Sequence, residues 1–410
     1  MSAQLLTSAT VHAGEQLPTE TQILIDESGH VAAVGPDLAA KSEGAERIDL
    51  GGRLVLPAPV EPHAHLDKAF LAEVVHNESG DLIGAIEAMR SSRHLLNVTE
   101  TAERAERAAR KMAANGFVAV RTHADVTNEH GLTSIQALTQ VRERLADLID
   151  IEIVALCGWP ISGPQGADQR ALLEAALDAG ADIVGGCPHL ESHAGSGTIE
   201  SATDVLLQIA TDRRLPVDLH TDETLDPSAN GLGLLAERVA AGFDLPVTAS
   251  HCVSLGQRTA SEQTAIAEQV SEAGINVITL PHTNLFLQGR GTAPMPRALT
   301  AVDALRRAGV NVAAGADNLQ DPFNPVGRAC AFETAGLMIM TSHLLPLDAW
   351  ATVSHNSAQA LGRERAGVLV DDVADLVAVR SSGVREAIAE GSSDAWVWRR
   401  GMRTDTQTDT

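Results

Sequence analysis

Eight short apolar runs alternating with longer segments of helical period predict an α/β fold, a (β/α)8 TIM barrel spanning about 250 residues. Two further observations support it. Nearly every run ends in a histidine or an aspartate, as expected where parallel strands deliver side chains to one rim. Both ends of the chain carry short alternating strands that fit a small β-sandwich domain formed from both termini.

The N-terminal strands are expected at 22–26 and 31–35, and the C-terminal ones at 374–379 and 395–398. Each pair alone would expose a sheet edge, which favours their union in one domain. Residues 1–55 and 366–410 are therefore assigned to a composite β-sandwich domain, and 56–365 to the barrel domain. Residues 404–410 read as a disordered tail. The first barrel run, 54–60, leads into His63-Ala64-His65, and the others fall at 117–121, 151–157, 182–185, 216–220, 246–250, 275–280 and 310–315. Between them, helical spacing of alanines and of Glu/Arg pairs predicts helices at 99–115, 133–149, 168–180, 201–213, 232–242, 261–274 and 298–308.

The 410 residues are 44% hydrophobic and 20% charged, which is the balance of an ordered globular protein. A net charge of −24 with no basic stripe argues against nucleic acid and against an anionic membrane surface. The four cysteines form no CxxC pair, and neither a secretory signal nor a membrane-length apolar run is visible, so a cytoplasmic location is expected. Oligomeric state, a homo-oligomer included, depends on surfaces that a sequence does not display.

His63 and His65 project to one side of a strand, where both neutral nitrogens could reach one cation at about 2.0–2.1 Å. The later strands deliver His123, His220, His251, His282 and Asp317 to the same rim. Glu223 follows His220 by three residues and is placed to carry a proton beside a metal without binding it. Each residue also has a plainer reading: Glu223 as a solvated loop acid, Asp317 as a helix N-cap, and His251 as a hydrogen-bond partner of a loop.

These residues, in this order, resemble the amidohydrolase superfamily and, within it, the cytosine deaminase group. The resemblance rests on Val60-Glu61-Pro62-His63-Ala64-His65-Leu66-Asp67-Lys68, Val120-Arg121-Thr122-His123-Ala124-Asp125-Val126, Val184-Gly185-Gly186-Cys187-Pro188-His189, His220-Thr221-Asp222-Glu223, Leu287-Gln288-Gly289-Arg290 and Asp317-Asn318-Leu319-Gln320-Asp321-Pro322-Phe323. It implies one divalent metal ion per chain, Zn or Fe(II), held by His63, His65, His220 and Asp317. It also implies Glu223 as the proton shuttle, His251 beside the attacking hydroxide and Asp317 as the acceptor of the water proton. No lysine closes the fourth strand, where relatives with two metals carry a carboxylated lysine, so one metal is expected.

The reaction so implied is hydrolytic deamination of a small-molecule heterocyclic substrate, with release of ammonia. Two departures turn the expectation away from cytosine itself. The third strand ends in Leu156-Cys157-Gly158-Trp159-Pro160, without the glutamine that pairs with the pyrimidine edge, and Asn318 replaces a second aspartate after the metal ligand. Substrate contacts are expected from Asn318, His123, Cys157, Gly158, Trp159 and Phe323, with core packing the alternative for Phe323. Asn318 also suits hydrolysis of another C–N bond, in an N-alkylamino triazine or a cyclic amide. A barrel that binds without turnover is the third reading, against which Glu223, Asp317 and His251 stand together. His189 and His282 are expected to line the mouth or pack loops, and Gln288 and Arg290 to cap a lid loop with Gly289 as hinge.

Overall fold

The computed structural model describes residues 2–12, 18–38, 40, 42–195, 197–391 and 394–404. Residues 405–410, the larger part of the expected tail, lie outside them, and Thr404 itself ends a strand. The chain divides into two compact units. One comprises Met1–Glu61, Arg110–Ala119 and Cys330–Thr410, the other Pro62–Ala109 and Val120–Ala329.

The first unit holds strands β1 (Gln4–Val11), β2 (Thr19–Ile25), β3 (Val31–Gly35), β4 (Glu46–Asp49) and β5 (Leu54–Pro57). The barrel strands follow as β6 (Val60–Ala64), β7 (Ala119–Val126), β8 (Asp150–Cys157), β9 (Ile183–Gly186), β10 (Val217–Thr221), β11 (Val247–His251), β12 (Asn276–Thr279) and β13 (Val312–Ala314). Strands β14 (Leu376–Val379), β15 (Trp396–Arg399) and β16 (Met402–Thr404) then return to the first sheet, which runs β16-β15-β14-β5-β1-β2-β3 with β4 also on β1. A bulge between Leu6 and Ala9, with Ser8 at φ 50°, divides β1. Residues before it pair with β4, and Thr10 beyond it pairs with Leu54 of β5. The turn this imposes gathers Leu6, Val11, Ile23, Val55, Leu376 and Trp398 into one core. Trp398 is fully buried, and its indole N–H donates to Gln4 Oε1 at 3.0 Å.

The apolar run 54–60 is two strands rather than one. Leu54–Pro57 pairs antiparallel with β14, and the first barrel strand begins only at Val60. Pro57 and Pro59 have no N–H to donate, so a single ladder cannot continue through both.

The second sheet has eight strands in the order β13-β12-β11-β10-β9-β8-β7-β6, parallel in every recorded register. Its two ends meet through a parallel bridge between Ala64 and Asp317, where Asp317 N donates to His63 O at 3.1 Å. The result is a nearly closed (β/α)8 TIM barrel. Helices α1 (Leu82–Ser91) and α2 (Val98–Ala114) follow β6, and α3 (Thr133–Arg144), α4 (Ala167–Asp178), α5 (Ile199–Arg213), α6 (Gly231–Ala240) and α7 (Ala260–Glu272) each follow one strand. Then come α8 (Pro281–Leu287) and α9 (Val302–Arg307) after β12, α10 (Ala331–Ser342), α11 (Pro346–Val353) and α12 (His355–Ala360) after β13, and α13 (Val384–Glu390). The helix expected at 298–308 starts only at Val302: Ala298 sits at φ 56°, which no right-handed helix accepts, and Ala301 at the N-cap is still non-helical with ψ 67°. The one expected at 133–149 stops at Arg144.

Candidate active site

The barrel strands β6, β7, β10 and β11 are buried along their whole length although they carry His63, His123, His220 and His251. Buried parallel strands ordinarily read as continuous apolar runs, so these polar positions need partners of their own. Two of the positions are strained. His251 has φ 71° and Asp317 φ 62°, left-handed values that cost a non-glycine residue about 1–3 kcal/mol and that the surrounding structure must hold.

The donor atoms converge. His220 Nε2 lies 3.3 Å from His65 Nε2, and Asp317 Oδ1 lies 3.4 Å from His65 Nε2 and 3.7 Å from His63 Nε2. Ligands about 2.0–2.2 Å from a common ion stand at about these separations from one another. Both Asp317 carboxylate oxygens are buried without a hydrogen-bond donor among the described residues, which is an arrangement that a cation satisfies. Burial, with the neighbouring histidines, holds His63 and His220 well below the usual imidazole range. Burial and Lys68 do the same to His65. All three are thus neutral, the form that ligates metal. Burial and Asp321 push Asp317 up to about 8. Three imidazoles and one carboxylate are a donor set that both zinc and iron(II) accept.

Outer contacts orient the rings. His63 Nδ1 lies 2.9 Å from Ser250 Oγ, which donates to Asp218 Oδ1 at 3.0 Å, while Arg121 Nη1 donates to Asp218 Oδ2 at 3.0 Å. His65 Nδ1 lies 3.1 Å from His123 O and 3.0 Å from Lys68 Nζ. His123 stacks on His63 with ring centroids 3.8 Å apart, and it is not among the residues that line the cavity described below. Its donor atoms and those of His63 and His220 lie within 4.8 Å of one another, as do those of His63, His251 and Asp317. His189 Nδ1 is 3.1 Å from His220 O, and His282 sits in α8.

Glu223 is only 6% exposed, so it is not a solvated loop acid. Burial and the nearby Asp317 carboxylate raise it well above the usual range, which favours its protonated form. Its Oε1 lies 3.5 Å from His251 Nδ1, and one amide group serves both: Asn284 Nδ2 is 3.0 Å from His251 Nδ1 and 3.4 Å from Glu223 Oε1. Burial lowers His251 to about 3. Asp317 caps no helix. Asp222, by contrast, accepts from the N–H groups of Gly231 and Leu232 at the start of α6, whose N-cap position is Asn230. Gln288 Nε2 donates to Glu223 O at 3.2 Å, and Arg290 donates to the carbonyl of Gly80, just before α1.

His65, His220, Glu223, His251 and Asp317 open on one cavity, whose wall also contains Cys157, Gly158, Trp159, Asn318 and Phe323. Trp159 lies under Arg90 of α1, with the guanidinium 4.8 Å from the ring centre. Phe323 both lines the cavity and packs on the cluster of Leu71, Val75 and Met89. Asn318 is already engaged, donating from Nδ2 to Asp321 at 2.8 Å and accepting at Oδ1 from Thr283 at 3.2 Å. Four contributors were not singled out from the sequence: Ser250, Asp218, Asn284 and α1. The helix could have been read there, since Leu82, Ile86 and Met89 keep a helical spacing and Asp81 accepts from Gly84 N as its N-cap.

Residues 71–389 match the amidohydrolase family. The chain is 32% identical over 366 residues to a pterin deaminase of Rhizobium rhizogenes strain K84, covering 88% of this chain and 82% of that protein. A crystal structure of 5-methylcytosine deaminase from Klebsiella pneumoniae with 5-fluorocytosine superposes with a TM-score of 0.86 at 30% identity, covering 97% of this chain and 96% of the other. The N-isopropylammelide isopropylaminohydrolase of Burkholderia multivorans gives 0.82 at 30% identity and 98% of both chains. The barrel, the converging ligand set and these likenesses agree, and the chain belongs to the amidohydrolase family, whose members use a divalent metal.

Proposed function

We propose that this chain is a metal-dependent hydrolytic deaminase that releases ammonia from an amino-substituted nitrogen heterocycle and so acts on C–N bonds other than peptide bonds. The observation that carries this reading is the buried Glu223, with Oε1 3.5 Å from His251 Nδ1, on the same cavity wall as His251 and Asp317. Its support from relatives is the likeness to a pterin deaminase and to a 5-methylcytosine deaminase. We assign one zinc or iron(II) ion to His63, His65, His220 and Asp317, and the catalytic machinery to 56–365. The cation, when bound, supplies Lewis-acid activation of water.

The residues of the chain do the rest. Asp317 takes a proton from the attacking water, and His251 holds and orients that water. The water oxygen forms a bond to the ring carbon that carries the amine. Glu223 gives its proton to the adjacent ring nitrogen. Asp317 hands the water proton on to the amine, the C–N bond breaks and ammonia leaves, and the remaining hydroxyl proton passes to the Glu223 carboxylate as the ring carbonyl forms. Asn284 fixes Glu223 and His251 relative to each other, and Trp159 and Phe323 offer flat faces to the ring.

A second reading, hydrolysis of an N-alkylamino triazine or of a cyclic amide, draws on Asn318 and on the likeness to an N-isopropylammelide hydrolase. The test is an ammonia assay on the purified, metal-quantified protein against aminopyrimidines, aminopterins, aminotriazines and creatinine. Metal-dependent ammonia supports deamination, whereas release of an alkylamine without ammonia supports the second reading. No helix among the described residues is long and apolar enough to cross a membrane, and the four cysteines are free. We place the protein in the cytoplasm, with no nucleic-acid or membrane partner.

A further inference from the structure

We propose that Arg93 and Thr127 determine specificity by taking a carbonyl oxygen of the substrate ring. The inference rests on the deaminase reading for the identity of the cavity.

The path to these residues starts at the proposed metal ligands. Lys68 Nζ lies 3.0 Å from His65 Nδ1 and donates to Asp125 Oδ1 at 2.7 Å. Asp125 in turn accepts from Arg93 Nη2 at 3.0 Å. Asp125 belongs to β7, and Thr127 continues the alternation that sends positions 123, 125 and 127 to one side. Arg93, Asp125 and Thr127 all line the cavity that holds Glu223 and Asp317.

Two hydrogen-bond donors in this corner have no partner among the described residues. Arg93 Nε and Thr127 Oγ1 are both buried and neither makes a hydrogen bond, although the Arg93 side chain is only 11% exposed. A guanidinium that spends one N–H on Asp125 and buries another unused is set up for a second acceptor. Buried donors without acceptors are rare in folded proteins, and a ligand is one accepted reason for them.

Charge decides which acceptor. Lys68 and Arg93 face Asp125 at 2.7 and 3.0 Å, and Asp67 Oδ1 stands 3.7 Å from Lys68 Nζ. Within this group two cations and two carboxylates balance, so Lys68, Arg93, Asp125 and Asp67 together offer no surplus charge to a full anion. A neutral carbonyl oxygen takes both unused donors without disturbing that balance. This assigns to Arg93 and Thr127 the pairing that the stretch ending in Cys157 and Gly158 has no amide side chain to make.

The test uses full-length, metal-loaded protein carrying Glu223→Gln, so that ligands bind without turning over. Calorimetry compares an aminopyrimidinone with the same aminopyrimidine lacking its ring oxygen, and the matching pair of aminopteridines. A hydrogen bond to a charged donor predicts that one oxo ring binds about 10- to 100-fold more tightly than its partner. Arg93→Lys keeps a cation for Asp125 but loses the Nε–H held in the rigid guanidinium plane, and Thr127→Val keeps the shape but lacks the hydroxyl; each narrows that ratio by about tenfold. Equal binding within both pairs, binding of no ring, or an undiminished ratio in both variants overturns the proposal. Tighter binding of a carboxylate-bearing ring than of the oxo ring overturns the choice of a neutral acceptor. Ammonia release from the preferred ring by the unsubstituted enzyme tests the deaminase reading separately.

Discussion

Ser250→Ala separates the orientation of His63 from its presence. Ser250 is fully buried, and its Oγ stands between His63 Nδ1 at 2.9 Å and Asp218 Oδ1 at 3.0 Å. Because the hydroxyl donates to Asp218, its lone pair is left to accept from His63 Nδ1–H, which keeps the Nε2 lone pair on the side of Asp317. Alanine removes one oxygen, and Arg121 still holds Asp218 Oδ2 at 3.0 Å. A buried donor that loses its acceptor costs about 1–3 kcal/mol, or about 10- to 100-fold in a dissociation constant. Loss of outer-shell partners of metal-bound histidines has effects of the same size. Competition against a chromophoric chelator at pH 8 should therefore show zinc affinity lower by about 10- to 100-fold with the fold intact by circular dichroism. An affinity within about twofold of the unsubstituted protein, where about 1 kcal/mol would be visible, would refute the idea that this contact orients His63 for a cation.

Four other outcomes follow from the same geometry. Glu223→Gln should keep its metal and lose about 10²- to 10⁴-fold in kcat, whereas His220→Ala should lose metal and turnover together; full activity in the former removes the proton shuttle. Asn284→Ala should lower kcat by about 10- to 100-fold at unchanged metal content, since one amide serves both Glu223 and His251; an unchanged kcat contradicts its positioning role. Burial holds His189 at about 4 against an ordinary 6.5, so below pH 6.5 the unfolded chain takes up a proton that the folded chain refuses. Stability from this residue is then complete above pH 6.5 and falls by about 1.4 kcal/mol per unit as the pH drops towards 4. Urea unfolding of His189→Gln should show a shallower decline over that range, and identical slopes would contradict it. Chelation should lower the melting temperature in proportion to the affinity lost, because the ion binds only the folded arrangement, and a melt insensitive to chelator would count against a folded-state site.

The barrel was legible because parallel strands buried on both faces leave an unbroken apolar signature, and the proposed ligand positions stand out where His63, His65, His220 and Asp317 interrupt its end. The terminal sheet was legible from alternation, but its seam was not. Two prolines around Ala58 look like part of one apolar run until the pairing of Leu54–Pro57 with β14 is seen. Ser250, Asp218 and Asn284 carried no signal of their own, because each acts through a contact between strands or helices far apart in sequence. Asn318 drew attention as a substrate contact, yet its amide is already bonded to Asp321 and Thr283, a fact of loop geometry that no spacing reveals. His123 was expected just past a strand's end, but β7 runs on to Val126, and the ring stacks on His63 and is not among the residues lining the cavity.

The account stands or falls on metal-dependent release of ammonia from an amino-substituted heterocycle. Protein with about one divalent ion per chain, compared with the same protein stripped of metal, should release ammonia from one class of ring and lose that activity on stripping. Metal-replete protein that releases no ammonia across aminopyrimidines, aminopterins, aminotriazines and creatinine would contradict it.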